Sequence, residues 1–128
     1  KPEYEPYTRY ELDELLALSD YVSLHTPGPK GSPPILSAEK LALMKKGAVL
    51  INTGRGNMVD ASALLDALDE GRLRGYGVDV YAEEPCTDER LLHHPKVSMT
   101  PHVGGSTVEA QERIGAEVVA HIRRVFNK

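Results

Sequence analysis

At 128 residues, 41% of them apolar and 27% charged, the chain has the length and composition of one globular domain. A net charge of −4 argues against nucleic acid as a partner, and no apolar run approaches the ~20 residues of a membrane span, so neither partner is expected. The single cysteine rules out an internal disulfide and fits a reducing compartment, which favours a cytoplasmic location.

The first half of the chain alternates between helical and extended patterns. Leucines at near-helical spacing predict an amphipathic helix over residues 11–19. Ser37 is the predicted N-cap of the next helix, which Gly47 closes. The predicted elements are a loop (1–6), a short edge strand (7–10), a helix (11–19), a strand (21–25), a loop (26–34), a helix (38–44) and a strand buried on both faces (48–51).

The second half continues the alternation. Asp60 is the predicted N-cap of a helix for which Gly71 is the C-terminal glycine. Pro85 disfavours helix at the preceding residue, and residues 106–109 (STVE) form a capping-box signature. The predicted elements are a helix (61–70), a strand (75–81), a loop (82–85), a helical turn (88–93), a strand (96–100) and a long helix that ends near residue 126.

Strands that alternate with helices predict right-handed crossovers and therefore a parallel sheet. We expect an α/β fold, a partial doubly wound (Rossmann-like) parallel sheet with helices on both faces, formed by residues 1–128. In such a sheet all strand-to-helix turns meet at one edge, which is where open α/β sheets bind ligands. Four turns are expected there, at residues 25–27, 53–55, 79–84 and 101–105.

One of these turns, Gly54-Arg55-Gly56, directly follows a buried strand. Because a guanidinium group is planar and always charged, an arginine between two glycines at a strand end suits a planar anion such as a carboxylate. Arg55 is therefore a candidate ligand-binding residue. Asp60 is fully explained as a helix N-cap, and no chemistry is assigned to it.

Two further turns carry ionisable side chains. His102 is the side chain best suited to transfer a proton near neutral pH, and Glu84 could hydrogen-bond its imidazole and favour the protonated form. An arginine, a glutamate and a histidine without a nucleophilic serine or cysteine indicate proton transfer to a bound carbonyl or hydroxyl group. That transfer needs a redox partner, which a hydride carrier would supply.

Several ordered blocks of the sequence resemble the D-isomer-specific 2-hydroxyacid dehydrogenases, most closely the phosphoglycerate dehydrogenase branch. The resemblance covers nearly the whole chain and is far more specific than any single motif. It implies an oxidoreductase that transfers a hydride between NAD and a D-2-hydroxy acid, such as 3-phosphoglycerate or a glyoxylate- or hydroxypyruvate-like acid. The blocks are residues 19–27 (SDYVSLHTP), 47–60 (GAVLINTGRGNMVD), 75–85 (GYGVDVYAEEP) and 100–111 (TPHVGGSTVEAQ).

The resemblance also implies roles for individual residues. In that family the catalytic arginine follows an Ile-Asn-Thr strand, the glutamate precedes a proline, and the histidine follows Thr-Pro. Carried over, Arg55 clamps the substrate carboxylate, His102 is the acid and base, and Glu84 tunes His102. Asp79 would bind the nicotinamide carboxamide, and no metal is expected. The implied cofactor-binding residues are Thr26, Thr53, Asp79, His102, Val103, Gly104 and Gly105.

The sequence departs from the family pattern in several places. The Gly-x-Gly-x-x-Gly turn, the acidic residue for the adenosine ribose and the substrate domain are not found in the 128 residues, so NAD and NADP are not distinguished. Gly54 replaces the more usual Ala or Ser, which we expect to be a small change. We therefore expect the C-terminal part of a nicotinamide-dinucleotide-binding domain, and the start at Lys1 suggests a fragment or a processed chain.

The remaining histidines and the cysteine have ordinary explanations. His25 is either a buried strand-end histidine or a site residue. The His93-His94 pair has no cysteine or carboxylate partner at metal-ligand spacing. His121 is expected to pack near the apolar face of the last helix, and Cys86 is an incidental loop thiol.

Two other functions stay open beside the dehydrogenase. Corepressors related to this family keep the fold and use the dinucleotide to control assembly, so the chain could belong to a dinucleotide-sensing binding module. It could also be an inactive fragment of an enzyme. The expected partner of the parent protein is a small 2-hydroxy or 2-oxo acid, and the parent is expected to be a homo-oligomer.

Overall fold

The computed structural model of the protein describes residues 7–28 and 31–126. Four parallel strands form one sheet in the order β1-β2-β3-β4, so each strand pairs with the strand that follows it in the chain. The strands are β1 (Tyr21–Leu24), β2 (Val49–Asn52), β3 (Gly75–Val78) and β4 (Val97–Met99). The helices are α1 (Leu12–Leu18), α2 (Ala38–Leu43), α3 (Ala61–Asp69), α4 (Glu89–Leu92) and α5 (Val108–Phe126), with a short 3-10 turn at Gly56–Met58.

The predicted α/β fold with a Rossmann-like parallel sheet is confirmed. From residue 11 onward each predicted helix and strand is present, with ends shifted by a few residues. The largest shift is in β3, which ends at Val78 and not at residue 81, because the chain leaves the sheet at Asp79. None of the helices in the described ranges is long and apolar enough to cross a lipid bilayer.

The predicted edge strand over residues 7–10 is wrong. These residues form an irregular segment, and Tyr7 and Tyr10 are largely exposed. Aromatic residues favour a strand only where they pack on a half-buried surface, which this segment does not have. The loop predicted for residues 1–6 lies outside the described residues, and so do residues 29 and 30 of the predicted loop 26–34.

The helix starts depend on capping side chains, as the sequence indicates. Ser37 accepts a hydrogen bond from the Lys40 amide, and Asp60 accepts one from the Ala63 amide at 3.1 Å. Both predicted caps are confirmed. At α5 the cap is Thr107, whose Oγ1 accepts from the Ala110 amide at 3.2 Å, so the helix begins one residue later than the capping-box pattern predicts.

The core lies against one face of the sheet. Alternate residues of the strands are buried there, and they form one cluster with leucines of α1, α2 and α3. On the other face Tyr21 is 64% exposed, while Val49 and Ile51 are only half-buried. Within the described residues, the predicted burial of strand 48–51 is therefore confirmed on one face of the sheet and not on the other.

The long helix α5 has the predicted apolar spacing, but its apolar side chains stay exposed. Ile114, Val118 and Ile122 are each about half exposed, and Ala110 is the buried residue of this helix. The prediction that His121 packs near an apolar face is wrong. The His121 ring is exposed, and its Nδ1 lies 3.1 Å from Nη2 of Arg124 one turn later.

Candidate active site

The four strands end in register, and this alignment creates the candidate site. Leu24 pairs with Asn52, Asn52 with Val78, and Val78 with Met99. Because the strands are parallel, the turns that follow them start at the same level of the same edge. An open cavity of about 580 Å³ lies at that edge and is lined by Thr53, Arg55, Asp79, Thr100, His102, Val103, Gly104 and Gly105.

The cavity brings together most of the predicted site residues. Two of them do not line it. Glu84 lies beside it, on the far side of His102, where both residues line a neighbouring cavity. Thr26 is turned away, since its hydroxyl lies 3.9 Å from the sulfur of Met58.

His102 and Glu84 form a hydrogen-bonded pair. Nδ1 of His102 lies 2.9 and 2.8 Å from the two carboxylate oxygens of Glu84. Since an ionised carboxylate only accepts hydrogen bonds, Nδ1 carries the hydrogen, which leaves Nε2 as the nitrogen available for proton transfer. The hydrogen bond from His102, followed by one from the Tyr81 backbone amide, holds the pKa of Glu84 below its ordinary value.

The backbone of His102 adopts a left-handed conformation with φ = 55°. Such a conformation costs a non-glycine residue roughly 1–2 kcal/mol, so its surroundings must hold it in place. Asp79 does so from the end of β3. Its Oδ1 accepts hydrogen bonds from the Thr100 hydroxyl at 2.5 Å and the Val103 amide at 2.9 Å, and its Oδ2 accepts one from the Gly104 amide at 3.0 Å.

These contacts also change the titration of Asp79. Burial by itself raises the pKa of the carboxyl group. The hydrogen bonds from Thr100, Val103 and Gly104 outweigh burial and leave the pKa of Asp79 below its ordinary value. Asp79 is therefore an anion that binds the 100–104 loop around His102, in addition to any contact with a ligand.

Backbone of neighbouring turns packs closely against both glycines that flank Arg55. A Cβ at Gly54 would lie 2.7 Å from the backbone oxygen of Thr26, and a Cβ at Gly56 would lie 1.9 Å from the carbonyl carbon of Tyr81. The expectation that Gly54 is a small change is therefore wrong, because the neighbouring turn packs against it. The Arg55 side chain is exposed, and its Nη1 donates a hydrogen bond to the Gly54 carbonyl at 2.7 Å.

His25 is exposed, which excludes the buried-histidine alternative. Its Nδ1 lies 3.0 Å from the Thr53 hydroxyl, and its Nε2 lies 2.8 Å from the Ser23 hydroxyl. His25 therefore contacts a residue that lines the cavity without lining the cavity itself.

Asn52 is a residue that the sequence-based prediction missed. It is the last residue of β2 and is fully buried, and its side chain bonds the turn that carries Arg55. A signal was present in the sequence, since an amide side chain directly after a buried apolar run is costly unless it has partners.

The prediction that the His93-His94 pair has no carboxylate partner is wrong, and both partners lie away from the cavity. Nε2 of His93 lies 3.0 Å from Glu89, and Nε2 of His94 lies 3.2 Å from Asp69. Within residues 7–28 and 31–126, no three His, Cys, Asp or Glu side chains are grouped as metal ligands would be. Cys86 is a free, half-buried thiol.

Known proteins are similar to this chain in sequence and in fold. The profile described as D-isomer specific 2-hydroxyacid dehydrogenase, NAD binding domain, matches residues 1–104. The chain is 44% identical over 112 residues to the D-3-phosphoglycerate dehydrogenase of Mycobacterium tuberculosis, covering 88% of this chain and 21% of that protein. It is 41% identical over 126 residues to the hydroxypyruvate reductase of Thermotoga maritima, covering 95% of this chain and 41% of that protein.

A solved structure agrees with these sequence matches. The glyoxylate reductase from Paecilomyes thermophila superimposes with a TM-score of 0.86 at 38% identity, covering 96% of this chain and 38% of that one. This chain thus spans between about a fifth and two fifths of the length of these three relatives.

Proposed function

This chain belongs to the D-isomer specific 2-hydroxyacid dehydrogenase family, as part of its NAD-binding domain, and on that premise we propose that the complete protein is an oxidoreductase acting on a D-2-hydroxy acid with NAD. The chain would supply the C-terminal part of the dinucleotide-binding domain together with the catalytic residues. The observation that carries the proposal is the hydrogen-bonded His102–Glu84 pair next to Arg55 at the carboxyl ends of the strands.

The proposed roles follow from the chemistry of the three side chains. Arg55 binds the substrate carboxylate through its planar guanidinium group and polarises the adjacent carbonyl. When a hydroxy acid is oxidised, Nε2 of His102 accepts the hydroxyl proton while the hydride leaves the substrate carbon. Glu84 holds Nδ1 and stabilises the imidazolium that forms. In reduction His102 returns the proton to the carbonyl oxygen.

The cavity residues fit the nicotinamide end of a dinucleotide, which when bound accepts or supplies the hydride. The lining at residues 103–105 is mostly backbone and glycine, and a Cβ at Gly105 would meet no atom within 4 Å, so a flat ring has room to approach. The Thr53 hydroxyl would hold the cofactor on the other side. Asp79 would contact the carboxamide in addition to binding the loop.

The leading substrate of the proposed enzyme is 3-phosphoglycerate. The M. tuberculosis relative supports this choice, because it is a D-3-phosphoglycerate dehydrogenase. The T. maritima and P. thermophila relatives support glyoxylate or hydroxypyruvate as the alternative acids. We further propose that the complete protein is a homo-oligomer. We also propose that it is located in the cytoplasm, because one cysteine in 128 residues suits a reducing compartment.

Turnover by the complete protein tests this function. We expect NAD reduction with 3-phosphoglycerate or a related D-2-hydroxy acid, and a kcat that falls by ~10²–10⁴-fold in His102→Ala, the range that a general acid–base group contributes. An unchanged kcat in that variant would refute the role of His102. Binding of NAD without turnover of any such acid would instead favour a dinucleotide-sensing module.

A further inference from the structure

Asn52 lies behind the arginine turn with no part of its surface exposed. Its Oδ1 accepts a hydrogen bond from the Gly54 amide at 3.1 Å, and its Nδ2 donates one to the Arg55 carbonyl at 3.0 Å. One amide side chain thus binds the backbone before and after the Cα of Arg55. The Arg55 side chain itself makes its hydrogen bond within the same turn, to the Gly54 carbonyl.

The Asn52 amide is held in turn by the sheet. Its side chain lies beside the hydroxyl of Tyr76, a buried residue of the neighbouring strand β3. The backbone carbonyl of Asn52 accepts the Asp79 amide at 3.1 Å, which continues the ladder toward the loop around His102. The turn with Arg55 is therefore tied through a single buried residue to strand β3, which ends just before Asp79.

From this geometry we propose that Asn52 is a positioning residue that sets the direction in which the Arg55 side chain projects from its turn. The inference rests on the proposed function, in which Arg55 binds the substrate carboxylate. A buried amide that satisfies two backbone groups cannot be replaced without leaving one of them unpaired, so the turn would relax. A misplacement of about 1 Å can cost on the order of 10²-fold in rate, so a small shift of the guanidinium group would be measurable.

Asn52→Asp in the complete protein tests the proposal, because the substitution keeps the shape and loses the donor to the Arg55 carbonyl. We expect kcat/KM for the hydroxy acid to fall about 10- to 100-fold, mainly through a higher KM for the acid. The KM for NAD should change by less than about threefold. Ser62→Asp, which adds the same charge at an exposed position of α3, is the control and should stay near wild type.

A double-mutant cycle with Arg55→Ala separates positioning from simple stabilisation of the fold. If Asn52 acts through Arg55, then Asn52→Asp should lower kcat/KM by less than about threefold in the Arg55→Ala background. The same 10- to 100-fold loss in both backgrounds, or no loss in the single variant, would overturn the proposal.

The cycle also distinguishes failure of the positioning role from failure of the proposed function. If Arg55→Ala leaves kcat/KM for the acid unchanged, both the carboxylate clamp and the role of Asn52 are refuted. If Asn52→Asp does not fold, Tyr76→Phe replaces it, since that change removes the hydroxyl beside Asn52 and keeps the ring. We expect an about threefold loss from Tyr76→Phe that disappears in the Arg55→Ala background, and an equal loss there would overturn the proposal.

Discussion

Glu83 and Glu84 show how much a residue's role depends on geometry. They are adjacent residues of the same type, and both side chains are exposed. Only Glu84 of the two bonds His102, and the same Oε1 also accepts the Tyr81 amide at 3.1 Å. The hydrogen bond predicted between Glu84 and the imidazole is therefore present, and the catalytic role built on it stays a prediction.

Replacing each glutamate by glutamine tests that role. Because the pKa of Glu84 is lowered, its charge is fully present above about pH 4.5 and is lost only as the pH falls through the lowered value. At neutral pH we expect Glu84→Gln to lower kcat about 10- to 100-fold, as a charge-assisted hydrogen bond to His102 is lost. Stopped-flow or steady-state kinetics measure the change. Glu83→Gln is the matched control, and equal kinetics for the two variants would contradict the assignment.

Arg55 poses a second question at this scale, namely whether the site needs a guanidinium group or only a positive charge. Lysine keeps the charge but cannot make the two parallel hydrogen bonds to a carboxylate. We expect Arg55→Lys to raise the KM for the acid and to lower kcat/KM by about tenfold or more. Arg72→Lys, at a half-buried position whose side chain pairs with Glu70 away from the cavity, is the control. Wild-type kinetics in Arg55→Lys would count against a bidentate clamp.

At the scale of elements, the loop between β4 and α5 is irregular but is held in place by hydrogen bonds to Asp79. Asp79, just past β3, holds three donors of that loop, and His102 lies among them with a left-handed backbone. The two neighbouring strand ends thus hold His102 in a conformation that the local sequence does not favour.

This anchoring predicts a pH-dependent stability. Because the folded-state pKa of Asp79 lies below its ordinary value of 3.8, the carboxylate contributes stability that is fully present above about pH 4 and is lost as the pH falls through the lowered pKa. At pH 7 we expect Asp79→Asn to lower the free energy of unfolding by about 1–3 kcal/mol. Urea unfolding at a series of pH values should show this difference shrinking below about pH 4.

Asp60→Asn is the control for that experiment. Asp60 caps α3, and asparagine caps a helix about as well as aspartate does, so the stability should change little. A difference between wild type and Asp79→Asn that stays constant from neutral pH to about pH 3 would show that the charge of Asp79 does not stabilise the loop.

For the whole molecule, the main feature is that four turns distant in sequence end at one sheet edge. The cavity there is lined by residues of the turns after β2, β3 and β4. The turn after β1 reaches it indirectly, because its His25 contacts Thr53, which lines the cavity. The proposed contacts to the nicotinamide and to the reacting end of the substrate lie within this chain. A pyrophosphate-binding glycine turn is not among its 128 residues.

The proposed domain organisation predicts how the cofactor binds. A glycine turn at a helix N-terminus is a major contact for the pyrophosphate, so the 128-residue chain alone should bind NAD more weakly than the complete protein, by at least about tenfold. Isothermal titration calorimetry on both proteins measures the ratio. Equal dissociation constants would show that the cofactor is held entirely by this chain and would refute the proposed division.

The sequence by itself determined the order of helices and strands, the caps Ser37 and Asp60, and the parallel sheet, because these depend on periodicity and on contacts within a few residues. It also contained the blocks that identify the family. The tertiary structure decided what depends on residues far apart in the chain. The Thr26 backbone lies so close to Gly54 that it would have to shift to admit a Cβ, and the buried Asn52 side chain bonds the turn that carries Arg55. It also showed that the apolar residues of α5 remain exposed, because a periodic pattern predicts a helix but does not specify what the helix packs against.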